Sequence, residues 1–436
     1  MLTRLRSWWY DIEQSLWFLP AVLTAAAVVL AFLTVQLDQT LLLDRQAEVR
    51  WLFGGGAEGA RGVLQAIAGT MITVTALVFS ITVVSLQLAS SQLSPRVLRT
   101  FMGDRGNQTV LGFFIGTFTY ALLVLRVVRS PLEDSGGFVP SLSVTVAILL
   151  ALLSVALLIF FVHHATNAMR ASVVIDRAAG TTNDLITHLY PEDVGEAVQP
   201  DPPAWLDSVP ATRVCAEESG YLQSINADAL FALADHNALT IRPEPLVGDF
   251  ILPGEPLASV WPKDAVDDEV AEAVREAMVM GLERTLHADV AFGIQQLSNI
   301  AIKALSPGIN DPTTAMICID RLSEVMVMLA TRGKPDEVRS GEDGSVRVVL
   351  QGSPFERLVG IAFDQIRHYG ASDPVLAEQM LRSLGRITAL IPFSHRGPIV
   401  RQARLVLASA QTQIVIPEDH EWVVGAGSWV SREGWT

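Results

Sequence analysis

Residues 306–312 read Ser-Pro-Gly-Ile-Asn-Asp-Pro, set between two long helix-like stretches. A hydroxyl, an amide and a carboxylate crowd into one turn where a helix must begin. A helix N-terminus presents unpaired backbone N–H groups, so such a turn can seat an anion. It can equally be a double cap and nothing more. Pro307 and Gly308 stop the first helix. Asp311 followed by Pro312 is a favoured N-cap and first helical residue. Capping absorbs those four residues and leaves Ser306, Asn310, Thr313 and Thr314 on the ligand side. Arg284, Asp289, Asp320 and Arg321 flank the turn, and Asp320 and Arg321 are expected to pair with Arg284 or Asp289. An ion-pair network holding two helices together fits this spacing better than catalysis.

A second polar pattern runs through "GTMITVTALVFSITVVSLQLASSQLSPR", from Gly69 to Arg96. At about 100° per residue, Thr70, Thr73, Ser80, Gln87 and Ser91 share one side of a helix, with Thr75, Thr82 and Ser85 opposite. A Gln deep in lipid is costly unless it faces water or protein. The stripe therefore reads in two ways. It lines a pore in an oligomer, or it packs against other helices through small residues. Gly112 and Gly116 in "LGFFIGTF" form a Gly-xxx-Gly pair that belongs to the packing reading.

Enzyme signatures do not emerge. The chain has no His-x-x-x-His, Cys-x-x-Cys, phosphate-binding lysine loop or Gly-x-Ser-x-Gly. We expect no catalysis, no cofactor and no metal. His287 and Asp289 lie two apart and face different directions on a helix. His163 and His164 sit at the end of an apolar run, either solvated or able to sense pH. "IPFSHRGPIV", with His395 and Arg396, reads as a helix–helix corner.

The elements that carry these residues follow from charge and hydropathy. Of 436 residues half are hydrophobic and 18% charged, against roughly 25% charged in soluble proteins. Residues 1–170 hold 11 Lys+Arg and 9 Asp+Glu, a net of +2, and the remainder holds 20 and 37, a net of −17. An acidic second part argues against nucleic acid, which needs a basic face. Charge-free runs lie between Glu13 and Asp38, Arg61 and Arg96, Arg105 and Arg126, and Asp134 and Arg170. Each is long enough to cross a bilayer. The first is too long and uncut for a signal peptide. The second, as one helix, would reach about 50 Å. None has an ionisable residue at its middle, which weakens a proton- or ion-coupled transporter. Arg4, Arg6, Arg96, Arg99, Arg105, Arg170 and Arg177 fall on one side, and Arg45, Arg50, Arg61, Arg126 and Arg129 on the other. That excess, with two cysteines (Cys215 and Cys318) and no disulfide framework, places both termini in the cytoplasm.

The expected organisation is an integral membrane α-helical part with four transmembrane helices over 1–165, then a stalk helix and linker over 166–211. A small β-rich unit over 212–262 is barrel-sandwich-like. A helical cytoplasmic domain covers 263–416, and a tail with Trp422, Trp429 and Trp435 covers 417–436. In the β-unit "VCAEESGYLQSI" and "LTIRP" read as strands, "NADALFALADHN" as a helix and "VGDFILPGEPLASVWP" as two strands about a turn. Its likeness is to biotinyl and lipoyl carriers, yet the first lysine of the chain is Lys263, so no residue within the unit can carry either group. "DAVDDEVAEAVREAMVMG", "LERTLHADVAFGIQQLSNIAIKAL" and "TTAMICIDRLSEVMVMLATR" read as helices.

"RTLHADVAFGIQQLSNIAIKALSPGINDPTTAMICIDRL", together with "SITVVSLQLASSQLSPRVLRTF", resembles a family of bacterial predicted membrane proteins of unknown function. Family members commonly carry Gln before the acid where this chain has Ala288-Asp289. The resemblance implies the topology and a shared cytoplasmic site, and no reaction. The expected function is a homo-oligomeric channel or pore of the plasma membrane, lined by the second span and governed by the cytoplasmic domain. The alternative is a membrane-anchored sensor or scaffold that binds a ligand or protein. The expected partners are the lipid bilayer, further copies of the chain, and an ion or small anionic ligand.

Overall fold

A computed structural model describes Ser15 and residues 17–40, 53–92, 104–130, 137–190, 202–333 and 337–431. Arg4, Arg6, Arg45, Arg50, Arg96, Arg99 and Trp435 lie outside the described residues, as do parts of the linker. The chain divides into two units, Met1–Arg170 and Ala171–Thr436.

The first unit has four helices long and apolar enough to span a membrane: α1 (Phe18–Thr40), α2 (Ala57–Gln92), α3 (Arg105–Leu125) and α4 (Ser141–Ala168). They match the four charge-free runs. α3 is the central helix and packs on the other three. Its glycines make that possible. A Cβ on Gly112 would lie 2.8 Å from the Pro20 Cα, and one on Gly116 3.3 Å from the Ala27 Cβ. The Gly-xxx-Gly face is thus where α1 and α3 meet at backbone distance.

Two buried aspartates hold the ends of this bundle. Asp38, 2% exposed, sits at the end of α1. Its carboxylate accepts from the Leu142 N–H (2.9 Å), the Ser143 N–H (2.9 Å) and the Ser143 hydroxyl (2.6 Å). The residue at the N-cap position of α4 is Pro140, which has no side-chain cap to offer. Asp38 therefore caps α4 from another helix. Tyr120 extends the network, its hydroxyl 2.9 Å from the Thr34 hydroxyl and donating to the Ser143 carbonyl at 3.1 Å. At the other end Asp104 caps α3, accepting from the Gly106 N–H (2.9 Å) and Asn107 N–H (3.2 Å), with His164 Nε2 at 2.8 Å. So His164 is packed into a cap, while His163 is exposed, 2.9 Å from the Asn167 amide.

The second unit is mixed α+β. α5 (Ala171–Leu189) begins it, after a break in helix at Met169–Arg170 within the expected stalk segment. A short 3-10 turn, Ala204–Asp207, lies in the linker. Then come β1 (Thr212–Cys215), β2 (Gly220–Ile225), α6 (Ala227–His236), β3 (Thr240–Pro243), β4 (Phe250–Ile251), β5 (Pro256–Trp261), α7 (Asp268–Ala277) and β6 (Met278–Gly281). Helices α8 (Val290–Ala304) and α9 (Pro312–Thr331) follow, then β7 (Val338–Ser340), β8 (Val346–Val349), α10 (Phe355–Gly370), α11 (Pro374–Leu390), α12 (Arg396–Gln413) and α13 (Pro417–Ala426).

The strands form two small sheets, β1-β5-β3-β8-β7 and β4-β2-β6, over a core that includes Leu222, Leu230, Ile241, Leu257 and Val260. Three of these strands come from beyond residue 262. β6 corrects the expectation of one helix through "DAVDDEVAEAVREAMVMG". The helix stops at Ala277 and Met278–Gly281 instead pairs with β2, Ile225 facing Met278. The open edge of β2 outweighs the helical preference of that segment. β7 and β8 carry no strong alternation and come from no strand expected above; β8 joins β3 in parallel at Ile241 and Val348.

The remaining helices form a bundle in which α8 packs on α9, α10 and α5. The tail tucks in. Past α13, Trp429 donates to the Leu381 carbonyl at 3.2 Å and lies against Gly385.

Replacing Asp38 should test the cross-helix cap. Asp38→Ala leaves two buried N–H groups unpaired and should lower stability by about 2 kcal/mol or more, with Asp38→Asn in between. Thermal unfolding of the purified full-length protein in detergent reads the order. Equal midpoints for the wild type and Asp38→Ala would contradict the cap.

Candidate functional site

On α2, Thr70, Thr73, Ser80, Gln87 and Ser91 are all exposed on the bundle surface. Leu64, Met71, Thr75, Val78 and Thr82 are buried, and they lie on the opposite side. The stripe is thus centred away from the face that packs within the chain. Thr75 and Thr82 bond the carbonyls one turn back, at 2.7 and 2.8 Å, as packing threonines do. Thr73 and Ser91 bond their own turn in the same way, at 2.9 and 3.0 Å. A Gln amide has donors and acceptors that its own turn cannot satisfy.

The corner at 306–312 is a double cap, with its parts assigned differently from the expectation. α8 ends at Ala304, and Leu305 is its C-cap. The Ser306 carbonyl accepts from Ile309 (3.0 Å) and Asn310 (2.9 Å), and the Asp311 N–H reaches back to the Ala304 carbonyl at 2.8 Å. The residue in the left-handed conformation is Asn310, with φ +51°. Gly308 is not left-handed and has open space around it. Asn replaces the usual Gly because its short polar side chain tolerates that conformation. Asp311 caps α9 as expected, accepting from the Thr314 N–H (3.1 Å) and hydroxyl (2.6 Å), with Pro312 in the first turn. The Ser306 hydroxyl donates to the Lys303 carbonyl at 2.7 Å, and Thr313 is exposed.

The expected pairing of Asp320 and Arg321 with Arg284 or Asp289 does not occur. Their part of α9 faces α5 and α11 instead. Arg321 binds Asp176 (2.5 Å) and Glu324 (2.8 Å), and Asp320 accepts from the Gln379 amide at 2.9 Å. Arg284 and Asp289 pair with each other.

That pair is built with care at the start of α8. The helix begins at Val290, so residues 282–289 are not helical as the sequence suggested. Asp289, 2% exposed, is the N-cap and accepts from the Phe292 N–H at 2.9 Å. Arg284 grips it with two bonds, Nε to Oδ2 at 2.8 Å and Nη2 to Oδ1 at 3.0 Å. The third guanidinium arm donates to Gln295 Oε1 at 2.8 Å, and the group lies over the Phe292 ring. Gly248, φ +95°, closes the other side. A Cβ there would lie 2.3 Å from Asp289 Oδ2 and 2.7 Å from Arg284 Nη2. Its neighbour Asp249 accepts from Arg357 at 2.8 Å.

Gln295 and Arg357 both line a cleft of about 640 Å³ among α8, α10 and α12. The Arg284–Asp289 pair therefore stands behind one wall of a cavity. The corner at 306–312 does not line it. Asn299, Arg367 and Gln402 also line it, and none of the three stood out in the sequence. They come from three helices whose polar residues look like ordinary solvated positions until packing brings them together. Among the described residues no group of three His, Cys, Asp or Glu is placed to hold a metal.

Burial pushes the Asp289 carboxyl above its ordinary value, opposed by Arg284 and the Phe292 N–H. A raised folded value means the native state keeps this proton to higher pH. The contribution of Asp289 to stability therefore falls as pH rises through the window from the unfolded value, about 3.9, to the folded one. Removing Arg284 moves the folded value further up. Arg284→Gln should cost about 3 kcal/mol near pH 7.5, where a buried carboxylate is left unpaired, and clearly less near pH 5. Melting curves at both pH values check this, and equal losses would contradict it. At the corner, Asn310→Gly should be neutral, while Asn310→Ala should cost about 1 kcal/mol for the left-handed backbone. A harmless Asn310→Ala in the same assay would show that the backbone carries no such constraint.

The model of a family described as predicted membrane protein, DUF2254, matches residues 13–386, which covers the four spans, the corner and the Arg284–Asp289 pair. An uncharacterized protein of Mycobacterium bovis and one of Mycobacterium tuberculosis strain H37Rv are each 34% identical over 441 residues. These alignments cover 98% of this chain and 82% of the relative. No solved structure matches. The chain belongs to the DUF2254 family of predicted membrane proteins.

Proposed function

We propose that the protein is a homo-oligomeric pore of the bacterial plasma membrane, lined by α2, with the second unit as its regulatory part in the cytoplasm. The observation that supports this is the stripe of Thr70, Thr73, Ser80, Gln87 and Ser91, exposed on the side of α2 opposite its packed face. In a membrane that side meets lipid, another copy or water. Lipid leaves the Gln87 amide unsatisfied, whereas an axis formed by several copies hydrates it. Hydroxyl and amide rings carry no fixed charge, which suits passive conduction rather than coupled transport. The reading asks for no catalysis. A membrane-anchored sensor is the second reading, and the cleft in the second unit supports it, since a ligand there needs no pore.

Single cysteines at Thr73, Ser80 and Gln87 distinguish the two. Cys215 is replaced by serine in the background. Cys318 is buried and burial pushes its thiol up, so it stays silent. Water-soluble thiol reagents should label the three stripe positions and block ion flux in liposomes. Cysteines at Ile72 and Phe79, exposed on the flank, should stay unlabelled. Flux with an unreactive stripe would put the pore elsewhere, and no flux at all would favour the anchored sensor.

A further inference from the structure

The cleft among α8, α10 and α12 has features of a built site. Its volume, about 640 Å³, falls in the range of small-molecule pockets, roughly 300–1,000 Å³. Three of its lining side chains hold nitrogens that are buried and have no hydrogen-bond partner: Asn299 Nδ2, Arg367 Nε and Gln402 Nε2. Gln402 is 4% exposed. Orphaned buried donors are uncommon in native structures and ask for an explanation. All three here are donors, they come from three different helices, and they line one cavity. The final torsions of Asn and Gln are broad, so neither amide is locked in its present orientation.

Charge points the same way. Residues 171–436 carry 20 Lys+Arg against 37 Asp+Glu, a strongly acidic surface. The cleft departs from this balance, with Arg357, Arg367 and Arg401 beside Glu356 and Asp364 on its lining. Arg357 is held by Asp249 and Arg401 by Glu356, and Arg367 lies 3.7 Å from Asp364 and donates to the Ser409 hydroxyl at 3.1 Å. Planar guanidinium groups and amide N–H donors spread around one space match an anion with several acceptor oxygens. The volume exceeds that of a bare phosphate, and the carboxylates of Glu356 and Asp364 can accept from hydroxyls on the rest of the ligand.

We propose that this cleft binds a small hydroxyl-bearing phosphate monoester, with Asn299, Arg367 and Gln402 as donors to the phosphate. Arg284 and Asp289 act as positioning residues, because Arg284 holds the Gln295 side chain on the cleft wall. No residue of α2 takes part, so the site stands or falls independently of the pore reading.

The test uses the full-length protein in detergent, with AMP, glucose 6-phosphate and glycerol 3-phosphate as probes, and adenosine, glucose and glycerol as their neutral counterparts. At about a hundredfold excess over its Kd, a bound probe should raise the melting midpoint by about 3 °C. Gln402→Leu and Asn299→Leu should leave the unliganded midpoint unchanged or raise it, since each removes an unpaired amide. The same variants should weaken probe binding at least tenfold by titration calorimetry. Arg367→Lys keeps the charge but loses the fixed fork, and should weaken binding with little effect on folding. The proposal is overturned if no phosphate probe shifts the wild type, or if the neutral counterparts shift it equally. It is also overturned if binding survives in Gln402→Leu and Arg367→Lys. A response to phosphatidylglycerol alone, without the soluble monoesters, overturns it too, by making the site one for a lipid phosphodiester.

Discussion

Every helix that begins away from bulk water leaves its first backbone N–H groups in need of acceptors. This protein meets that need with aspartate again and again. Asp104, Asp267, Asp289, Asp311 and Asp373 each accept from the first turn of the helix they precede. Asp38 does the same for α4 from the end of α1. The consequences reach past local stability. Asp38 fixes the register of α1 against α4. Asp289 sets where α8 begins, and that decides which residues of α8, among them Gln295 and Asn299, meet the cleft.

Asp289 also shows how a cap comes to support a cavity wall. A buried carboxylate needs a counter-charge. Arg284 supplies it, and its remaining arm passes the constraint on to Gln295. The close fit then extends to the backbone, because only glycine at position 248 leaves room for the pair and accepts the φ found there. Asp249 next to it holds Arg357, another lining residue. One cap thus connects the start of α8, a loop between β3 and β4, and two walls of the cavity.

Much of this was legible in sequence where a single segment carries the signal. Four charge-free runs suffice for four spans, and Asp311-Pro312 suffices for a helix start. The strands of 212–262 followed from alternation and turn residues. What was not legible depends on partners far away in the chain. Nothing local marks Asp38 as the cap of α4, 105 residues from Ser143. Met278–Gly281 has a helical look, and only the free edge of β2 makes it a strand. Gly308 looks like the left-handed residue of the corner, yet the turn through Ser306 places that conformation at Asn310. The cleft was hidden for the same reason, since its donors sit on three helices.

Many polar groups along the chain find partners close by. Hydroxyls along the spans bond their own turns, histidine and carboxylate meet at Asp104, and the hydroxyls of Ser306 and Thr314 are taken up at the corner. Among the described residues the buried side-chain atoms with no hydrogen-bond partner are Asn107 Oδ1, Asn183 Oδ1, Arg242 Nε, Glu378 Oε1 and Ser383 Oγ, each by itself, and the three nitrogens of Asn299, Arg367 and Gln402, which share the cleft. A folding explanation would replace Gln87 and Gln402 with apolar residues at no loss, because neither contributes a bond that the fold uses. Sequences tend to break such rules where function requires it. The two amides differ in setting: Gln87 is exposed on α2, and Gln402 is 4% exposed beside the cleft. Anchoring alone accounts for neither amide, and the two proposals above each give one of them a use.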